Sequence, residues 1–567
     1  MRVDRETELK ILLIYPYFIE DRIHVDEIRA MPMGIYSVAA VLKKRGYDVE
    51  VLNWYNAHAN PEIIAQTLNA KRPDVIGFSI LHANRWGAIE IARIARGINP
   101  CVKVVFGGVG ATFLWEHLLA HFPEIDVIVL GEGEYTFEKL MRHIGRSDPK
   151  ELKNIGGIGF RDGNEIIRTE SAGFIKDLDE LPIPAEYFAY QYVSSSRGCA
   201  WNCAFCGSPK FWEGKIRFRS PDHFVAELEM LYKKGINFFY FSDDTFTVKK
   251  NRAIEICKKI LEKGLAVTWY AISRVNYVDE EILYWMRKAG CIQISYGIES
   301  GSEKIRNVLN KRIETGQVRR AFELTTGYGI LSRAYFIYGS PGEDRETIRE
   351  TIDFMDQIRP LSTIFYLLDI FPGTRLYEMF KEKSGATDDI WLNKIEGILY
   401  FETDSRLSEE MVLSFGKQLR TAYYEKVSAY AGNIKLTEKK DLHETHADFL
   451  SRLSMTFSHG DYAKIGEIKD KAVIAEKLYR RSLGYAPNHR AFLGLGMLKQ
   501  KQSEFKASIE ILTEGVQSFP KSESLHICLG ISLMNHGDFE VAAPHFLKFP
   551  DSKQARDCLA ACRKALA

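Results

Sequence analysis

The stretch from Ser194 to Pro209, SSSRGCAWNCAFCGSP, constrains this chain more than any other. It carries Cys199, Cys203 and Cys206 in the spacing C-x3-C-x2-C. Three thiols so close in sequence face one point only if the backbone loops around it. Gly198, Ala200, Ala204 and Gly207 are small enough to permit that loop. Thiolates are soft ligands that suit iron–sulfur clusters and zinc. A four-iron cluster normally takes four protein thiolates, so three close cysteines without an obvious fourth predict a cluster with one iron open to another ligand. A zinc knuckle is the competing reading. Zinc sites usually show paired C-x2-C or Cys/His ligands, and no such pair lies nearby.

The chain has 567 residues, which predicts more than one domain. Its net charge of +1 gives no global electrostatic case for nucleic acid or an anionic membrane. The apolar run in MRVDRETELKILLIYPYF is short for a signal peptide, and no transmembrane segment is expected. Nine scattered cysteines speak against a disulfide framework and for a reducing, cytoplasmic setting.

From 1 to 150, apolar runs alternate with amphipathic stretches. Strands are expected at 11–16, 47–54, 74–80, 102–108 and 126–131, and helices at 34–45, 61–72, 86–98, 112–121 and 134–144. That pattern predicts a doubly wound parallel sheet of the Rossmann-like kind, with ligands at the carboxyl ends of the strands. Tyr15-Pro16, Ser79 to Asn84, Gly107-Gly108 and Gly131-Glu132-Gly133-Glu134 fall there. The glycines let a large ligand approach the backbone, or serve only as tight turns.

Residues 151–190 read as a linker with a hairpin around Asp162-Gly163-Asn164 and the proline-bearing DLDELPIP. From 191 to 380, strands expected at 191–196, 237–242, 266–272, 291–297, 331–338 and 362–368 alternate with helices. Six parallel strands with crossover helices suit a partial (βα)6 barrel of the TIM type, whose function sits at the C-terminal strand ends. Polar residues cluster there: Asp243 and Asp244 after the second strand, Glu299 and Ser300 after the fourth, and Tyr338 to Glu343 after the fifth. Either aspartate reads equally well as a helix N-cap.

Residues 381–440 read as a helical extension covering the barrel, rich in aromatic residues. From 441 to 567 the pattern becomes an all-α array with internal repetition. Gly496 and Gly530, Phe505 and Phe539, and Ser508 and Ala542 are each 34 residues apart, which is the tetratricopeptide period. Such arrays present a groove to a peptide or protein, or simply cap the enzyme. Cys558 and Cys562, at i and i+4, read as core-facing thiols rather than metal ligands.

The cysteine loop, with Phe205 before its last cysteine, resembles that of the radical S-adenosylmethionine (SAM) superfamily. The upstream glycine segments, with Pro32-x-Gly34, resemble the cobalamin-binding domain of one large class of it, which includes B12-dependent methyltransferases and the anaerobic magnesium-protoporphyrin ester cyclase. The resemblance implies that Cys199, Cys203 and Cys206 hold a [4Fe–4S] cluster. It implies that Phe205, Asp243, Asp244, Glu299 and Ser300 lie about SAM. It places cobalamin on Gly34, Ser79, Asn84, Gly107, Gly108, Thr112, Gly131 and Glu132. The D-x-H-x-x-G cobalt-ligand motif is absent, and His24, His82 and His117 do not sit in that pattern.

The activity implied is reductive cleavage of SAM to a 5′-deoxyadenosyl radical and methylation of an unactivated carbon through methylcobalamin. The partners implied are a small-molecule or lipid-like substrate and a flavodoxin- or ferredoxin-type electron donor. No residue is singled out as catalytic. A cyclase, oxidoreductase or rearrangement outcome of the same class is the first alternative. An assembly module with a vestigial radical domain is the second. Methylthiotransfer fits less well, because only Cys101 precedes the cluster loop.

Overall fold

The computed structural model describes residues 9–19, 33–56, 60–144 and 149–567; His24 and Pro32 lie outside them. The first sheet is built from β1 (Lys10–Tyr15), β2 (Asp48–Asn53), β3 (Val75–Ser79), β4 (Lys103–Gly107), β5 (Val127–Val129), β6 (Ile158–Asp162) and β7 (Glu165–Arg168). Its order is β2-β1-β3-β4-β5-β6-β7. The first five strands pair in parallel. Alternate residues of each strand enter opposite cores. Leu12, Ile14, Ile76, Phe78, Val104 and Phe106 share one, and Ile11, Leu13, Val75, Val105 and Val127 the other. Burial on both faces is why these strands read as continuous apolar runs. The hairpin expected in the linker adds β6 and β7 to this sheet, antiparallel to β5.

The helix expected at 112–121 is two pieces, Val109–Phe113 and Trp115–His121, broken at Leu114. The first begins directly at Gly108 and shapes the turn after β4.

The second sheet contains β8 (Tyr192–Val193), β11 (Phe238–Phe241), β12 (Thr268–Ser273), β13 (Cys291–Glu299), β14 (Leu331–Tyr338) and β15 (Ser362–Leu367), paired in chain order. Every pairing is parallel, and β8 and β15 are not joined. The short pair β9 (Ser196–Arg197) and β10 (Arg217–Phe218) is antiparallel and clasps the base of the cysteine loop. Helices Pro221–Lys233, Lys250–Glu262, Glu280–Lys288, Thr315–Gly327 and Arg345–Ile358 connect the parallel strands.

Helix Glu409–Gly432 buries Val412, Phe415, Leu419, Tyr423 and Val427 in the core of the second sheet. At Gly416 it passes so near Tyr338 that a Cβ would lie 2.6 Å from the ring. The helices His443–Ser458 and Lys471–Tyr485 add Phe449, Leu453, Leu478 and Tyr479 to the same core. The helices that follow, His489–Lys501, Phe505–Ser518, Glu523–His536, Phe539–Leu547 and Lys553–Leu566, build a further core. A Cβ on Gly496 would stand 2.5 Å from Leu512, and one on Gly530 2.4 Å from Phe546. The 34-residue repeat is therefore a repeated close helix crossing. Cys562 is buried and Cys558 half-buried in that helical core. No helix among the described residues is long and apolar enough to cross a membrane.

Candidate functional site

The carboxyl ends of the first sheet and the cysteine loop of the second face one cavity of about 720 Å³, within the usual size range of small-molecule sites. On the first sheet, close backbone approach shapes it. Gly108 has φ +91°, and a Cβ there would lie 2.8 Å from the Ile80 carbonyl oxygen. The turns after β3 and β4 can therefore touch only through glycine. Thr112 joins this turn to the next strand end. Its hydroxyl donates to the Gly108 carbonyl at 2.9 Å and accepts from the Gly131 amide at 3.0 Å. Gly34 and Gly131 open into free space, with nothing within 4 Å of a Cβ on either.

The cysteine loop is held at three places. Gly198 has φ +104°, and a Cβ there would strike the Lys215 carbonyl oxygen at 2.0 Å. The Ala204 amide donates to the Leu309 carbonyl at 2.9 Å, and the Ala204 carbonyl accepts from the Leu376 amide at 3.0 Å. None of the three thiols is in a disulfide. Burial pushes the Cys199 thiol up and the Cys206 thiol to about 12. Bare thiolates are therefore disfavoured there, whereas a bound cationic metal centre reverses the balance. Arg274 lies 3.9 Å over the Trp201 ring, with Nη1 3.8 Å from the Cys203 sulfur. Phe205 is half-buried, with Lys311 Nζ 6.0 Å over its ring.

The structure separates residues that sequence alone grouped. Gly34, Ser79, Gly107, Gly108, Gly131, Glu132 and Asp244 line the cavity, as do Gly198, Gly207 and Ser208 of the cysteine loop. Asn84, Thr112, Asp243, Glu299 and Ser300 are not in its wall, nor are Phe205 and the three cysteines, whose loop reaches the cavity through Gly198, Gly207 and Ser208. The Asn84 side chain is buried and caps its own turn, accepting from the Leu81 amide at 2.7 Å. Asp243 is buried and saturated: it accepts from the Ser195 amide at 3.2 Å, from the Ser195 hydroxyl at 2.8 Å and from the Ser196 hydroxyl. Asp244 is the member of the pair that faces the cavity. The protein around it raises its carboxyl, aided by Asp243 and opposed by the Ser208 hydroxyl at 2.7 Å. Neither aspartate is a helix N-cap, since Lys249 occupies that position in the next α-helix.

Ser300 is buried within its turn, where its hydroxyl accepts from the Ser302 amide at 3.1 Å. Glu299 has φ +67° and sits where the β13–β14 register slips. Its carboxylate pairs with Lys311 Nζ at 2.7 Å, and both side chains are 7% exposed. A non-glycine residue in that conformation stores strain that its surroundings must hold in place. Here the surroundings include Gly297, where a Cβ would collide with Glu299 at 2.3 Å.

Sequence reasoning missed Arg197. This arginine of β9 reaches Glu132 at 2.5 Å and Glu134 at 2.5 Å, both from the turn after β5. Arg217 adds a contact to Glu132 at 2.6 Å. The GEGE turn thus presents its acids to arginines of the β9–β10 pair. Burial alone would raise the Glu134 carboxyl, but Arg197 holds it below the usual range. His82 was set aside for lacking a cobalt-ligand pattern, yet it lines the cavity. Its ring stacks on Phe371 at 4.4 Å, and Nε2 meets Asp369 at 2.8 Å. No sequence spacing links these partners, because each pair joins segments far apart in the chain.

Comparison with known proteins agrees with this arrangement. The family model described as B12 binding domain matches residues 25–141, and the Radical SAM superfamily model matches residues 193–355. An uncharacterized methyltransferase of Pyrococcus horikoshii is 32% identical over 382 residues, covering 65% of this chain and 83% of that protein. The anaerobic magnesium-protoporphyrin IX monomethyl ester cyclase of Cereibacter sphaeroides is 29% identical, covering 63% of this chain and 61% of its own length. Among solved structures, the radical SAM methyltransferase TsrM from Kitasatospora setae superposes with a TM-score of 0.58 at 16% identity, over 84% of this chain and 99% of that one. The cobalamin-dependent radical enzyme OxsB gives 0.53 at 18% identity over 99% of this chain and 81% of that one. These superpositions show a shared fold. With both family models in tandem about a common cavity and the identity to the Pyrococcus protein, the chain belongs to the cobalamin-dependent radical SAM methyltransferase family.

Proposed function

We propose that this protein methylates an unactivated carbon of a small-molecule or lipid-like substrate in the cavity between its two sheets. The observation that carries the reading is that one cavity is walled both by the carboxyl ends of the first sheet and by the loop bearing the three cysteines. When bound, the family's cofactors supply the chemistry: a [4Fe–4S] cluster and SAM give the 5′-deoxyadenosyl radical, and cobalamin gives the methyl group.

The chain's own residues then bind and position. Cys199, Cys203 and Cys206 are assigned to the cluster, with Arg274 and Trp201 packed against the Cys203 side. Asp244 and Ser208 at the cavity wall offer acceptors to SAM. Gly34, Ser79, Gly107, Gly108 and Gly131 form the cobalamin cradle, where Gly34 and Gly131, open into free space, leave room for a large planar ligand. Glu132 acts with Glu134 in joining the two halves through Arg197. Phe113, Phe211 and Phe371 line the cavity with apolar surface and keep water from it.

The C-terminal helix pairs read as tetratricopeptide-like repeats that seat a protein or peptide partner. The redox requirements fit a cytoplasmic enzyme served by a flavodoxin- or ferredoxin-type donor. The 29% identity to a named cyclase supports cyclisation or oxidation as a second reading.

The test is anaerobic reconstitution of the full chain with iron, sulfide and cobalamin, followed by metal counting and mass analysis of SAM products and substrate candidates. About four irons and one cobalt per chain, with a product one methylene heavier, is the expected result. Cobalt-free protein that still cleaves SAM would overturn the methyl-transfer reading. A dehydrogenated or ring-closed product of unchanged carbon count would favour the second.

A further inference from the structure

Where the first sheet's helices meet the segment that follows the second sheet, three metal-ligating side chains converge. Helix Trp115–His121 places His117 and His121 one turn apart, so both rings stand on one face, with centroids 4.7 Å apart. Asp389 comes from the short 3-10 helix Asp388–Leu392, beyond the last strand of the second sheet. His121 Nε2 is 3.4 Å from Asp389 Oδ1, and His117 Nδ1 is 3.7 Å from the same oxygen. Ligand atoms of the three residues lie within 4.8 Å of one another.

These separations are long for hydrogen bonds, which centre near about 2.9 Å. The 3.4 Å separation is that of neighbouring donors around a common ion, since bonds of about 2.0–2.1 Å in a tetrahedron put ligand atoms roughly 3.3–3.4 Å apart, and the 3.7 Å one would shorten by a few tenths of an ångström on binding. The cluster is also more than a surface accident. The His117 side chain is 5% exposed; Nδ1 is the nitrogen turned to Asp389, and Nε2, the other ring nitrogen, has no hydrogen-bond partner among the described residues. The adjacent Asp388 is already committed to the Tyr377 hydroxyl at 2.7 Å and Lys381 at 2.9 Å, which leaves Asp389 as the acid turned to the histidines.

We propose that His117, His121 and Asp389 bind one divalent transition-metal ion of the zinc class, separate from the iron–sulfur and cobalamin chemistry. Imidazole and carboxylate donors suit such an ion, with water completing the tetrahedron. The H-x3-H pattern has Leu118 after its first histidine, where hydrolytic zinc enzymes with this spacing place a glutamate base. A water position stays open, but without that base the role the geometry offers the ion is to fasten two segments together. The ion fastens the helix that follows the cavity-wall turn Val109–Phe113 to the segment at 388–393. That segment is already held by Arg85 on the Trp391 and Asn393 carbonyls and by Trp86 Nε1 on Asn393 at 2.9 Å. A metal clip there would lock the cavity wall of the first sheet to the end of the second.

The test uses the full chain loaded with its iron–sulfur cluster, so that the cluster cysteines are unavailable. Cluster-loaded protein is equilibrated with zinc chloride, dialysed against zinc-free buffer and analysed for zinc and iron together. The wild type is expected to keep one zinc per chain and to melt higher with zinc than without it. His121→Ala, at a half-exposed position that folding does not need, should lose at least ten-fold in zinc affinity and lose the zinc-dependent rise in melting temperature, with iron unchanged. Asp389→Asn should do the same more weakly. Wild type that retains no zinc, or variants that retain as much as wild type, would overturn the proposal.

Discussion

Arg197 and Glu134 meet at 2.5 Å between the β9–β10 pair and the turn after β5 of the first sheet, with the glutamate side chain 3% exposed. The arginine precedes the cysteine loop by two residues. The same guanidinium that couples the halves therefore also fixes the base of that loop. Breaking a buried pair from one side leaves an uncompensated charge and costs about 3–5 kcal/mol.

Arg197→Met is accordingly expected to destabilise the protein by about that amount at neutral pH. The sign with pH follows from Glu134, whose folded carboxyl is held down by the arginine. Its contribution is present above the unfolded carboxylate value and is lost as pH falls through the folded one. Denaturant unfolding of wild type and variant at pH 7 and at low pH should show the gap closing in acid. A gap of equal size at both would contradict this account.

The adjacent aspartates should behave differently. Asp243→Ala strips the acceptor from three donors in the turn beneath the cysteine loop, at about 1–3 kcal/mol for each one left unsatisfied, and should lower the melting temperature sharply. Asp244→Asn removes only a cavity-facing charge and should stay within about 0.5 kcal/mol of wild type, while weakening SAM binding to the cluster-loaded protein. Equilibrium SAM binding beside calorimetry separates the two, and equal melting temperatures for both variants would sink the distinction.

Glu343 gives a pH prediction of the opposite sign. Its carboxylate accepts from the Gly339 amide at 2.5 Å and the Ser340 amide at 3.3 Å. Burial outweighs those bonds and raises the group from 4.5 to about 7. Between those values the folded protein holds a proton that the unfolded chain has released, so stability falls as pH rises through that window. The change is on the order of 3 kcal/mol. Glu343→Gln should flatten this part of the stability–pH curve, and an unchanged slope would assign the effect to another group.

Cofactor loading should be separable by site. Gly34 opens into the cavity with no atom within 4 Å of a Cβ, so Gly34→Trp can fill the space without displacing the fold. It should abolish cobalt retention and leave iron near four per chain. Cys203→Ala should do the reverse. Parallel loss of both metals in either variant would mean that the two halves of the cavity do not fill independently.

Much of this was legible in the chain itself. In the first sheet β1, β3, β4 and β5 are buried on both faces and read as continuous apolar runs, and the parallel strands of both sheets lie near where apolar runs put them. The cysteine loop stands out because three thiols close in sequence and set among small residues can face one point. The 34-residue repeat is visible because Gly496 and Gly530 each admit a bulky partner, Leu512 or Phe546, at the same crossing.

The sequence by itself therefore determined the two α/β sheets, the cysteine loop and the glycine-rich strand ends, since each depends on neighbours within a few residues. Only the tertiary structure decided which polar residues face the cavity. Asp243 and Asp244 are chemically identical and adjacent, and one turns inward to the serines of the loop while the other faces the cavity. It alone paired Glu299 with Lys311, gave Glu132 and Glu134 to Arg197, and set His82 on Phe371. The physical reason is that a buried charge must find its partner wherever the fold brings one, and the partners here lie up to 289 residues away, as Phe371 does from His82.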